Sequence, residues 1–510
     1  MYHLLQPSIM DITTLSNDLF RLVLEYLSPE DLIRSRRVSK QFKAALTEVD
    51  LCRHLLIEHF PRSREARSIS LCPLQDWGHE FLRVASRYHH LRCGEATSVE
   101  KLALAKSFVV PAWSRHFPVA SWQQHLQFED KTSPFHYPDT LWTYDDGILI
   151  LPSVKSQNYV LYDLSTGRKS LIDLETDKKV VRRIRLKYGV LVVEWCENEP
   201  YHQLNENEMV CRHFATAYDL RRIDSSQWTI VLRTEWKIHF LGFPLDSQDR
   251  FFSARTCTHY AIYTWQRNRS AWGEDEPIEA LAIWDISSPS PYRPSEDPTG
   301  KANPQDDSEG ARVIRRFSFA NLDFYQIRQR SDPILRCLEL DEQNVYVIVE
   351  SHRWLVGQQA ASNLPQLHHV KTTGIPFGIG PAWEDECGAN GDTNFSFCEK
   401  ASDIRSPHIA PCWRHEEFPY LTVTEMVDSG AGVVFSARHC FMLEAISLEI
   451  TPKVHMREPE YAVSLRDDIW PQLLAKGKLC GDERFLIGEN ANHEVVILHF
   501  DDRGLQKASM

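Results

Sequence analysis

Three times in the middle of this 510-residue chain an apolar run ends on aspartate and gives way to a turn and a second run. Tyr159 to Leu164 leads through Gly167 to a run ending at Leu174. Ala215 to Leu220 leads to Trp228–Leu232, and Leu281 to Ile286 leads, after a long loop, to Val313–Phe319. Each is preceded by another apolar run, as at Gly147–Leu151 and Tyr188–Trp195. Short runs rich in Val, Ile, Tyr and Trp between turn residues read as strands. A unit of a few strands cannot bury both of its faces, so it must stack on its own copies. Radial stacking gives a β-propeller, whose edges stay short. The units fade at Val345–Val349, Cys440–Ile446 and Val495–Phe500. Asp163, Asp219 and Asp285 lie 56 and 66 residues apart, while the gap from Val345 to Cys440 is wider. That gap hides another blade or a large insertion, so six or seven blades are expected, with a pair of packed sheets as the alternative.

The N-terminal part has a different grammar. Leu15–Leu46 reads as three short helices: one from Ser16 as N-cap to about Leu27, one opened by Ser28, Pro29, Glu30 and Asp31, and one from Val38 to Leu46. Ser caps free amides, Pro fits where its missing N–H is harmless, and acids suit the positive helix end. At ~100° per residue, Leu15, Leu19, Phe20, Leu22, Val23, Leu24, Tyr26 and Leu27 cover an arc of roughly 200°. Packing on one core needs a stripe only about 100° wide. A unit of about 40 residues is also near the lower limit for holding a core alone. Some of this apolar surface therefore needs cover from elsewhere, either from the rest of the chain or from a partner protein.

Taken together, Leu15, Asp18, Leu19, Val23, Leu27, the Ser28–Leu32 segment, Arg36, Val38, Ser39, Lys40 and Phe42 resemble the F-box in order and spacing. The family usually carries Pro after its first Leu, where this chain has Ser16. The resemblance implies docking on a Skp-type adaptor held by a cullin scaffold in a ubiquitin ligase. Leu15, Ser16, Leu19, Leu22, Val23, Leu32 and Val38 are the residues expected to face the adaptor or to support that face. The β region resembles the divergent propellers that follow F-boxes in fungal-type proteins. The expected organisation is thus α+β and multidomain. A flexible start (1–14) precedes an all-α F-box (15–50) and a helical linker (51–107). An all-β, target-binding propeller (108–510) follows, with disordered insertions near 287–310 and 374–406.

Within the linker, Trp77, Phe81, Val84, Ala85 and Tyr88 repeat at helical spacing, and residues 96–105 read as one more short helix. Lys plus Arg number 57 against 70 Asp plus Glu, for a net charge of −13. That balance disfavours general nucleic-acid binding, which needs a basic face. The 12 Cys contain no Cys-x-x-Cys pair, the start lacks signal-peptide character, and no apolar run approaches membrane length. Reduced thiols and a cytoplasmic or nuclear setting follow as expectations, with no membrane partner.

No phosphate loop, nucleophile elbow or zinc-protease motif is present, and no cofactor is expected. Cys387, Cys398, Cys412, His408 and His415 lack the paired spacing of structural zinc sites. Asp163, Asp219 and Asp285 could form a carboxylate ring, but Asp more plainly ends a strand and starts a turn with its own side chain. Arg182, Arg183, Arg221, Arg222, Arg315 and Arg316 could clamp a phosphorylated peptide, since guanidinium pairs well with phosphate. The plainer reading is solvated strand edges. The expected role is a non-catalytic receptor subunit. A hydrolase-like propeller enzyme and a non-degradative scaffold remain the alternatives.

Overall fold

The computed structural model describes residues 12–69, 76–105, 140–155, 158–205, 208–223, 227–239, 250–266, 276–299, 309–330, 335–353, 367–378, 380–388, 393–396, 420–440, 445–452, 462–474 and 478–501. The helical part comprises α1 (Asn17–Leu24), α2 (Pro29–Ser35), α3 (Lys40–Ala45), α4 (Val49–His59), α5 (Arg64–Arg67) and α6 (Trp77–Cys93). Serine caps explain two starts, the expected one at Ser28 and a further one at Ser39. The Ser28 hydroxyl accepts from the Asp31 amide at 3.1 Å, and Ser39 accepts from Phe42 at 3.1 Å. Asp76 caps α6 by accepting from His79, and Gly94 ends it in the left-handed region, at φ +67°. Ile12 and Leu15 already pack on the helical core, so order begins ahead of the boundary at residue 15.

Six antiparallel sheets follow as the blades of a propeller. Blade 1 is β2 (Thr143–Asp145), β3 (Ile148–Pro152), β4 (Tyr159–Asp163) and β5 (Arg168–Ile172). Blade 2 is β6 (Lys179–Lys187), β7 (Val190–Glu197), β10 (His213–Arg222) and β11 (Trp228–Lys237), with an inserted hairpin of β8 (His202–Asn205) and β9 (Glu208–Val210). Blade 3 is β12 (Arg250–Arg255), β13 (His259–Gln266), β14 (Ile278–Asp285) and β15 (Arg312–Phe317), after which comes helix α7 (Phe319–Phe324). Blade 4 has five strands: β16 (Leu335–Leu340), β17 (Asn344–Arg353), β18 (Leu367–Pro376), β19 (Trp383–Gly388) and β20 (Thr393–Ser396). Blade 5 is β21 (Tyr420–Asp428), β22 (Val433–Cys440), β23 (Ala445–Pro452) and β24 (Val463–Ser464). Blade 6 is β25 (Cys480–Gly481), β26 (Phe485–Glu489) and β27 (Glu494–His499), with β1 (Ser98–Ala103) as its outer strand. Between blades 5 and 6 sits helix α8 (Trp470–Leu473), packed on their shared core.

The repeat in the sequence is the third strand of a blade. The runs ending at Asp163, Asp219 and Asp285 are β4, β10 and β14, and the runs before them are second strands such as β3 and β7. Three expectations need correction. Residues 98–103 are a strand, not a helix, because β27 offers them a pairing edge from Ser98–His499 to Ala103–Glu494. Within the insertion expected near 374–406, residues 374–376, 383–388 and 393–396 are strand rather than irregular, and 397–406 lie outside the described residues. Gly374 lies in β18, and β19 and β20 widen blade 4, which accounts for part of the wide gap without a seventh blade.

The third correction concerns the insertion expected near 287–310: residues 287–299 form an ordered strap rather than a disordered loop, and 300–308 lie outside the described residues. The Ser290 amide donates to the Arg233 carbonyl at 2.7 Å and the Ser295 amide to Glu235 at 3.1 Å. Arg293 pairs with Glu175, so the Pro- and Ser-rich composition is held in place against blade 2 by main-chain bonds.

Gly488 in β26 shows how tightly blade 6 is packed. A Cβ there would lie 2.1 Å from the Leu473 carbonyl oxygen of α8. Gly488→Ala is expected to destabilise the protein by about 2–3 kcal/mol, in the range for overpacking a core. Gly378→Ala, with nothing within 4 Å of the added atom, serves as the near-neutral control in a thermal melt.

Candidate functional site

Helix α1 carries two apolar stripes. Phe20 and Leu24 turn inward and are buried in the core. Leu19, Leu22 and Val23, continued by Tyr26 in the turn just past the helix, form the other stripe and stay 53, 53, 38 and 90% exposed. Val38, between α2 and α3, is 70% exposed. A contiguous apolar stripe left on a surface marks an interaction site. The chain's own core thus covers part of the 200° arc and leaves the rest open.

The other residues expected at this face take different positions. Leu15 is half-buried against the core, and Leu32 is 1% exposed, so it supports the surface from within. Ser16 is exposed and stands at the N-cap, but its hydroxyl makes no cap bond; its carbonyl accepts from the Phe20 amide at 2.9 Å. Tyr26 belongs to the stripe and was not among the expected facing residues. Its spacing from Leu19, Leu22 and Val23 was the signal for it.

Beneath the stripe the helices are fastened to α6. The Arg36 guanidinium donates to the Gly78 carbonyl at 3.4 Å and lies over the Phe81 ring, 5.7 Å from its centroid. Cys52 donates its S–H to the Leu46 carbonyl at 3.2 Å. Burial pushes the Cys52 thiol up to about 11, which keeps it a neutral donor.

The helical arm then meets one end of the propeller. Arg64 pairs with Asp146 in the β2–β3 turn, and Arg67 lies under Gly430 in the β21–β22 turn. Arg87 reaches Glu483 in the β25–β26 turn and Asp501 just past β27. All of these points follow first or third strands, which run in the same sense. The opposite end, where second and fourth strands finish, carries the β8–β9 hairpin and α7. There Tyr201, Met209, Phe319 and Phe324 are exposed.

The arginine pairs do not converge. Arg183, on first strand β6, pairs with Glu194 at 3.1 Å and donates to Ser253 Oγ at 2.8 Å. Neighbouring Arg182 lies 3.3 Å from His213 and over the Phe251 ring. Burial and the Arg182 charge push the His213 imidazole well below its ordinary range, so it stays neutral. Arg221 and Arg222 finish β10 at the other end of the same blade, near Asp219 and over Trp228. Arg315, on outer strand β15, donates to the Pro376 and Gly378 carbonyls at 2.6 and 2.9 Å, and Arg316 is exposed. Alternation along strands and the distance between first and outer strands separate residues that look paired in the sequence.

The repeated aspartates serve turns and pairs. Asp163 accepts from the Ser165 and Thr166 amides at 3.0 and 3.1 Å, and Asp285 accepts from Ser287 at 2.9 Å. Asp219 is paired with Arg233 at 2.5 Å. Of the thiols and imidazoles weighed for zinc, Cys387 falls on β19 and the other four lie outside the described residues. Among the described residues no group of three or more metal-ligating side chains forms, and no helix is long and apolar enough to cross a membrane.

Residues 12–54 match the F-box domain family model. F-box domains typically bind Skp-type adaptors, a receptor's role rather than a catalyst's. The match spans α1 to α3 and the start of α4. No curated protein matches the chain.

Proposed function

We propose, for a chain that carries an F-box domain ahead of a six-bladed β-propeller, that the protein is the substrate-recognition subunit of a Skp–cullin–F-box ubiquitin ligase. The α1 stripe docks the adaptor, the adaptor brings the cullin, and the propeller selects a target protein. The observation that carries this reading is the uncovered stripe of Leu19, Leu22, Val23 and Tyr26 inside the matched domain. Leu15 and Val38 extend the docking surface, Ser16 lies at its start, and Leu32 holds it in shape.

The propeller end away from the arm is the end free to receive a target, since the arm occupies turns at the other. Arg316, late in outer strand β15, keeps its side chain exposed toward that end and is the member of the arginine set offered there to a phosphorylated segment, whereas Arg221 and Arg222 finish third strand β10 at the arm's end. Arg182, Arg183 and Arg315 act by fixing blade geometry. The ligase chemistry belongs to the partners, and the protein works in the cytoplasm or nucleus.

The test is co-purification of the full chain with a recombinant Skp-type adaptor and cullin, followed by proximity labelling in cells. Labelled proteins that accumulate when the α1 stripe is disabled by point substitution are the expected targets. A chain that binds the adaptor but whose labelled partners never change in abundance is a scaffold, and the receptor reading ends there. Excising residues 15–46 is the wrong control, because it would lay bare Leu51, Leu55 and Phe81.

A further inference from the structure

One hydrophobic core runs from Phe20, Leu24 and Leu32, through Leu55, Phe81 and Tyr88, to Phe435, Leu448 and Phe500 in blades 5 and 6. Two features connect this core to closure of the ring. The first is β1. The chain leaves α6 at Gly94 and becomes the outer strand of the blade built by the C-terminal strands. Thr97 fastens the junction: its amide and its hydroxyl each donate to the His499 carbonyl at 2.7 Å, and the hydroxyl also reaches the Asp501 carbonyl at 2.9 Å.

The second is Arg87, whose side chain has no exposure at all. Its guanidinium holds Glu65 of α5 at 2.8 and 3.1 Å, Glu483 at 3.0 Å and Asp501 at 2.5 Å. Tyr88 donates to Glu483 at 2.8 Å, and the Arg64 amide donates to the same carboxylate at 3.0 Å. Arg83 adds contacts to Glu65 and Asp501 at 2.7 and 3.4 Å. One fork therefore joins the arm to two separate segments at one end of the blade that β1 completes, the turn after its first strand and the chain just past its third. Separating either side strands a charge in the interior, which is strongly destabilising.

We propose that the arm and blade 6 open and close as one cooperative unit, so that a ligand seated on the α1 stripe also stabilises closure of the propeller. The adaptor, on the reading of function given above, is then a stabilising ligand for the target-binding ring, and the unassembled receptor has the looser ring. Mass action sets the size of the effect. A ligand that binds only the closed unit, at 100 times its dissociation constant, makes opening about a hundredfold rarer. Amides that exchange only through that opening slow by the same factor.

The experiment is hydrogen exchange on the full chain, read in peptides covering α6, β1, β26 and β27, with β7 and β10 of blade 2 as reference. Arg87→Met is expected to accelerate α6, β1, β26 and β27 together by tenfold or more and the reference by less than twofold. Thr97→Val, which removes only a hydroxyl on the blade side, is expected to accelerate α6 as well as β1, and it decides the matter if Arg87→Met does not fold. Saturating recombinant Skp-type adaptor is expected to slow β26 and β27 along with α6. Acceleration confined to β1 and β27 in Thr97→Val, or to the arm in Arg87→Met, overturns the coupling. So does an adaptor that binds without slowing β26 and β27. An adaptor that fails to bind overturns the docking reading instead, and the two variants still judge the coupling without it.

Discussion

Leu19→Asp combined with Val23→Asp is expected to abolish measurable adaptor binding while leaving the thermal melt of the free protein close to that of the wild type. Both side chains are substantially exposed in the free chain. Surface changes of this kind usually alter stability by no more than about 0.5 kcal/mol. In a complex the same positions become buried. Fully burying one such apolar side chain stabilises by ~1.5–3 kcal/mol, and an unpaired carboxylate placed there adds a desolvation penalty of several kcal/mol, of the order found for buried ions. A loss of about 4 kcal/mol is a drop in affinity of roughly a thousandfold.

Titration calorimetry of wild type and variant against the adaptor measures it, with circular dichroism as the fold control. Leu24→Asp and Leu32→Asp give the contrast: both positions are buried in the core, so these variants should lose the fold itself. Wild-type affinity in the Leu19/Val23 variant would refute docking through this stripe.

Glu65→Gln is expected to lower stability at pH 7 by about 3 kcal/mol, the range for breaking a buried ion pair, and to flatten the acid limb of the stability curve. Burial pushes the Glu65 carboxyl up, but the Arg87 and Arg83 guanidiniums outweigh it and hold the group down to about 2. Its value in an unfolded chain is near the ordinary ~4.3. A carboxylate with a depressed folded value contributes stability that is fully present above the unfolded value and is lost as pH falls through the folded one.

The wild type should therefore lose stability between about pH 4.5 and 2, and the Gln variant should lose less over that window. Glu483 acts in the opposite sense. Its burial outweighs the nearby Arg87, so its value is raised and its protonation favours the fold. Denaturant melts of both proteins at a series of pH values check the difference. Parallel curves would mean that Glu65 does not stay ionised in the seam.

Local chemistry carried much of the architecture into the sequence. The start at Ser28 was readable because a cap is a bond across three residues, whereas the hydroxyl of Ser16, the other expected cap, makes no such bond. The third strands β4, β10 and β14 were readable because each joins an apolar run to an aspartate that serves its own turn or a neighbouring arginine. The excess of apolar arc on α1 was readable from helical spacing, but which of its members stay uncovered, Tyr26 among them, was not.

The misjudged segments share a dependence on distant partners. Residues 98–103 become a strand only because β27, almost four hundred positions later, presents an edge. The strap at 287–299 is ordered by carbonyls and carboxylates of blade 2, and its composition says nothing of them. The arginine pairs look like one clamp in the sequence, yet strand position sends them to opposite ends and different radii of the ring.

By itself the sequence determined a helical unit with more apolar surface than it can bury, followed by stacked repeats of a few short strands each. Periodicity and capping act within a few residues, so both are legible without a fold. Only the tertiary structure decided which half of the α1 arc stays open, how many blades close the ring, and that the N-terminal segment closes it. Those outcomes depend on which surfaces meet across hundreds of residues, and the buried Arg87, set among carboxylates from three separate parts of the chain, belongs to that kind.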